Sequence, residues 1–155
     1  MVPRLPGYRI LSNLPLRYNA RAGHGGRHKR QIGTGSGKGS NTMVQIEAIG
    51  LKTFEAQEGQ RLVLAIKDAG IDILHRCGGH ARCTTCRVEV VEGDAGEMTA
   101  QERTRLEREQ ELGPNTRLSC QIVVQAPLKV QVLRRLSETD MSDAGPRPDE
   151  QLAAE

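Results

Sequence analysis

Four cysteines, Cys77, Cys83, Cys86 and Cys120, are all that this chain has, and their C-x5-C-x2-C-x33-C spacing crowds three into one short loop. If the four act together, the fold must carry the distant thiol back to that loop. Thiolates spaced in this way close around small metal centres, iron–sulfur clusters among them. Other cysteine chemistries fit less well. Structural zinc sites bring paired C-x2-C knuckles, and here only Cys83 and Cys86 are so spaced. Disulfides belong to oxidising compartments, and nothing near the start reads as a secretory signal. A Cys83-Thr84-Thr85-Cys86 dithiol would open a helix after a strand, whereas this motif precedes a strand-like run.

Charge divides the chain into three. Residues 1–42 carry eight Lys or Arg and no acid, residues 43–136 balance thirteen bases against thirteen acids, and residues 137–155 hold six acids and the single base Arg147. The net charge of +3 conceals this asymmetry. Residues 1–42, rich in Pro, Gly and Arg, bury little apolar surface and are expected to be a disordered basic extension. A nucleic-acid or anionic-surface arm, an organelle transit peptide and an upstream extension read from the wrong start codon are the alternatives; we expect the extension to be inert or not made, since Met43 stands just before the first strand pattern. Its GTGSGKG run, residues 33–39, lacks the glycine five places before Gly37-Lys38 and the hydroxyl after it that a nucleotide loop needs. Residues 137–155 are expected to be a disordered acidic tail. With no long apolar run, neither a membrane nor a nucleic-acid partner is expected.

The body, residues 43–136, alternates helix and strand periods. Val44, Ile46 and Ala48 share one face of a strand, which turns at Gly50 into a second strand over residues 53–57. Leu62, Val63, Ile66 and Ala69 recur at helical spacing, and Gly70 is the expected stop. After Cys86, Val88 and Val90 face inward until Gly93. Thr99 and Glu102 form an S/T-x-x-E capping box for a second helix, residues 100–112, mostly solvated and laced by Arg103/Glu107 and Arg105/Glu109 pairs. Leu118, Cys120, Ile122 and Val124 then share one strand face, and Leu128, Val130 and Val132 another. Strands with helices set to one side predict an α+β domain with a mixed sheet, one main helix and a solvated second one.

The loop reads CGGHARCTTC. Glycines allow backbone N–H groups to turn inward around electron-rich sulfur, and Ala81, Thr84 and Thr85 leave room for them. CGGHARCTTCRVEV followed by TRLSCQI resembles the [2Fe–2S] ferredoxins of β-grasp fold. The five-residue first gap is similar to the adrenodoxin and bacterial assembly types, and C-G-G-x-x-x-C-x-T-C-R-V is similar to ferredoxin domains attached to some bacterial adenylate cyclases. The resemblance implies a [2Fe–2S] cluster on Cys77, Cys83, Cys86 and Cys120, and a cluster-binding loop feeding a small monomeric, cytoplasmic electron carrier rather than an enzyme. It implies redox partner proteins, a reductase and an acceptor such as an oxygenase; a redox-sensing regulatory module is the alternative. His75 and His80 are not needed as ligands. Arg87 stands where the adrenodoxin type has histidine, the second helix is mixed in charge rather than acidic, and Arg76, Arg82 and Arg87 surround the loop with positive charge.

Overall fold

The computed structural model describes residues 42–152. The expectations for residues 1–41 lie outside it. Strand β1 (Met43–Ala48) buries Val44, Ile46 and Ala48, and the turn with Gly50 at φ +72° returns the chain as β2 (Lys52–Gln57), antiparallel to it. Helix α1 (Leu62–Asp68) ends at Gly70, φ +86°, as the sequence predicts. Five consecutive residues, Leu62 to Ile66, are buried, so this helix is wrapped on nearly every side. Its first free N–H, on Leu62, donates to Ile122 O at 2.9 Å, answering one of the orphan donors of a helix start.

After the cysteine loop come β3 (Arg87–Gly93), α2 (Ala100–Leu106), β4 (Thr116–Leu118) and β5 (Leu128–Val132). The sheet order is β2-β1-β5-β3-β4, with β1 and β5 parallel and the other neighbours antiparallel. A mixed sheet that grips one buried helix is the β-grasp arrangement the sequence pointed to. Among the described residues no helix is long and apolar enough to cross a membrane.

Three elements differ from expectation. Helix α2 stops at Leu106, six residues short, because Leu106 is its last apolar residue against the core and only polar or charged side chains follow until Leu112. Of its two expected pairs, Arg105–Glu109 forms at 2.6 Å. The strand expected through Cys120 ends at Leu118; a 3-10 turn, Ser119–Gln121, replaces it. Ser119, opposite Cys86 in the β3–β4 register, still donates its N–H to Cys86 O at 3.0 Å, and its hydroxyl donates to the same oxygen at 2.7 Å, which ties the start of the turn to the third cysteine.

The third difference is the acidic segment. Residues 137–152, expected within a disordered tail, lie along the base of the cysteine loop. Leu136 N–H donates to Asp72 O at 2.8 Å, Ser137 N–H to the Asp72 carboxylate at 2.7 Å, and His75 N–H to Ala144 O at 2.8 Å. Ion pairs Arg76–Asp143 and Arg147–Asp68 add to these, at 2.7 and 2.9 Å. Apolar content is not what holds this strap; backbone groups left open on residues 72–79 are. Gly145, φ +110°, passes so close that an added Cβ would sit 2.6 Å from His75 O and 2.7 Å from Arg76 Cα. Both obstacles are backbone. Gly145→Ala is therefore expected to release the strap at a cost of about 1–3 kcal/mol, and the His75 amide should exchange roughly tenfold to a hundredfold faster. An unchanged His75 protection factor would contradict this placement.

Candidate metal centre

Ile71, Ile73 and Leu74, all buried, pin the chain between α1 and the cysteine loop. Within the loop, Gly78 (φ +66°), Gly79 (φ +89°) and Ala81 (φ +51°) take left-handed backbone angles. Only Ala81 among the described non-glycine residues does so, and such a conformation costs of order 1 kcal/mol unless its surroundings impose it. The result is a nest of inward N–H groups. Those of His80, Arg82 and Cys83 point at the Cys77 sulfur, and that of Ala81 at the Cys120 sulfur.

The four thiols fall into two pairs. Hydrogen bonding from the Cys83 thiol, with the loop N–H groups, outweighs burial and pushes Cys77 down to about 4; the same bond, with burial, raises Cys83. In the second pair the Cys86 thiol and the Gln121 side chain bring Cys120 down to about 7, while Cys86, buried against Cys120, is raised well above its usual range. In each pair one thiol is held low and its partner high. All four cysteines are free; Cys77 and Cys83 are half-buried, and Cys86 and Cys120 are 1% and 0% exposed.

Among the described residues no three His, Cys, Asp or Glu side chains group as around a single metal ion. Two thiol pairs suit two irons better, since [2Fe–2S] centres take two protein ligands at each iron. The donor set therefore fits that group: four soft sulfurs, two already inclined to lose a proton, in a loop lined with N–H donors. His80 is exposed. His75 is 1% exposed, donates from Nδ1 to Ile73 O at 2.9 Å and leaves Nε2 without a polar partner among the described residues.

Two residues absent from the sequence reading bind the halves of the site together. Gln121 Nε2 donates to Gly79 O at 3.1 Å and lies 3.4 Å from Cys120 Sγ. Arg61, 2% exposed at the N-cap of α1, donates to Cys120 O and Gly79 O. A signal for Arg61 existed in the sequence: a cation at a helix start, where the dipole disfavours positive charge, needs another reason to be there.

The family described as "2Fe-2S iron-sulfur cluster binding domain" matches residues 47–125, a stretch containing all four cysteines. The chain belongs to this family. A 2Fe-2S ferredoxin of Haemophilus influenzae is 40% identical over 72 residues, covering 45% of this chain and 64% of its own. One component of the Na(+)-translocating NADH-quinone reductase of Methylococcus capsulatus is 33% identical over 89 residues, 57% of this chain and 21% of that protein. The chain thus spans less than two thirds of either relative. The crystal structure of a reduced putidaredoxin variant from Pseudomonas putida superposes with a TM-score of 0.50 at 32% identity, covering 61% of this chain and 99% of that one.

Proposed function

We propose that this protein is a one-electron carrier, not itself an enzyme, in which Cys77 and Cys83 bind one iron of a [2Fe–2S] centre and Cys86 and Cys120 the other. The pairing of the thiols inside an N–H-lined loop carries the reading. When bound, such a centre accepts and returns single electrons. The protein's part is to hold it and limit its exposure: Cys86 and Cys120 sit in the core, and the half-buried Cys77 and Cys83 face the outside. Electrons would pass at that edge, between a reductase and an acceptor such as an oxygenase, with the carrier a cytoplasmic monomer.

The partner's face would be acidic. A groove beside the half-buried pair is lined by His80, Arg82, Arg105 and Arg108, with no carboxylate among its lining residues. Arg105 is committed to Glu109 and to Arg82 O, whereas the exposed Arg82 and Arg108 have no ion-pair partner among the described residues. A cationic edge draws anionic partners and makes their approach salt-dependent.

The dithionite-reduced holoprotein tests both points. Freed of excess dithionite, it should pass one electron to ferricyanide, an anion, and repeat this after each fresh reduction with dithionite, faster at low than at high salt, and the double change Arg82→Glu, Arg108→Glu should slow that anion about tenfold while speeding reduction of the cation hexaamminecobalt(III). Failure to reduce either acceptor repeatedly would end the carrier reading in favour of a redox sensor. Reduction of both with no change in the double variant would end only the acidic-partner reading.

A further inference from the structure

The Arg61 guanidinium is a buried cation without a counter-ion among the described residues. Nε and Nη2 donate to Cys120 O at 2.9 and 2.5 Å, Nη2 to Gly79 O at 2.6 Å, and Nη1 to Asp149 O and Gln151 O at 2.7 and 3.2 Å. Every acceptor is a neutral backbone carbonyl. The fit leaves no slack, since a Cβ on Gly79 would meet Nη2 at 2.7 Å and Pro148 Cβ at 2.8 Å. Burying a charge with only neutral partners costs several kcal/mol per ion, and folded proteins ordinarily answer it with a charge of opposite sign. The site itself can supply such a charge, since Cys120, whose carbonyl Arg61 holds, is one of its four thiols. Four thiolates, two ferric ions and two sulfides sum to a net negative charge, and one electron deepens it.

We propose that Arg61 is the built-in countercharge of the metal centre and its positioning residue. It clamps the loop carbonyl of Gly79 to the carbonyl of Cys120, and its fixed positive charge favours the reduced state. The strap completes the arrangement: Asp149 and Gln151 take the two remaining donor directions, and buried Pro148 covers Gly79. Water is thereby kept from a charge whose influence it would screen. The inference rests on the four-cysteine assignment above.

Charge and shape are separable by substitution. Arg61→Lys keeps the charge and loses the planar fork; Arg61→Gln keeps a planar donor and loses the charge. Wild-type and variant holoproteins are titrated in parallel by spectroelectrochemistry, with iron and acid-labile sulfide counted in each. At a fixed ambient potential, Arg61→Gln should lower the reduced-to-oxidised ratio about tenfold, a shift of about 59 mV for one electron, and Arg61→Lys should stay within roughly threefold of wild type. Equal potentials for Arg61→Gln and wild type would overturn the countercharge. If Arg61→Gln assembles too little cluster to titrate, the order of cluster content decides. Wild type above Arg61→Lys above Arg61→Gln supports the inference, and Arg61→Gln equal to or above Arg61→Lys overturns it. A wild-type protein without iron and sulfide would instead sink the ligand assignment.

Discussion

Cys120→Ser is expected to give a protein that folds but no longer holds a two-iron centre. Oxygen replaces sulfur with little change in volume, at a residue 0% exposed, so the core around Leu118 and Ile122 keeps its shape. Thiolate character disappears. The site brings Cys120 down to about 7 through the Cys86 thiol and Gln121, whereas a serine hydroxyl stays protonated at neutral pH and is a poor ligand for a soft site. One iron would be left with Cys86 alone. Iron and acid-labile sulfide should fall from about two each per chain, the content of the proposed centre, to near background, with far-ultraviolet circular dichroism little altered. The chain has no Trp, so loss of the visible and near-ultraviolet bands of the centre would be easy to see. Full cluster content in this variant would mean that another residue supplies the fourth ligand.

How much of this was legible in the sequence depended on whether a residue's type reports its role. The alternation of Val44, Ile46 and Ala48 did, because a strand with one buried face has period two. Gly70 and the loop glycines did too, since positive φ suits them. Leu118, Cys120, Ile122 and Val124 misled: all four are 0% exposed, so their alternation reported burial faithfully, yet the backbone there is a 3-10 turn tied to Cys86. The capping box was half right. Thr99 accepts from Glu102 N–H at 3.1 Å, as predicted, but the Glu102 carboxylate turns inward instead of back. The strap escaped because composition counts apolar side chains, and residues 137–152 are held by hydrogen bonds to their backbone, three ion pairs and buried Pro148. Arg61 escaped because arginine is ordinarily solvated; only the fold brings carbonyls from three segments around it.

Glu102→Ala is the second large effect we expect, a loss of about 3–5 kcal/mol, the usual consequence of removing one partner from a buried ion pair. Glu102 is 0% exposed. Oε1 accepts from Leu118 N–H at 2.6 Å and Arg117 Nε at 2.9 Å, and Oε2 accepts from Arg117 Nη2 at 3.0 Å. Alanine would strand all three donors. Arg117 keeps Gly96 O at 2.8 Å and some access to water, but the Leu118 N–H would be orphaned in the core. Glu102→Gln, which still offers Leu118 an acceptor, should cost less, about 1–3 kcal/mol. Urea unfolding of the apo and holo proteins measures both; an alanine variant within about 0.5 kcal/mol of wild type would place Glu102 among ordinary surface positions and contradict this account. The consequence reaches the site, because Leu118 lies two residues before Cys120 and Glu102 belongs to the same helix as Arg105 of the cationic edge. One buried carboxylate therefore anchors both the cationic edge and the backbone leading to Cys120, so the holo alanine variant should also lose its iron to a chelator faster than wild type.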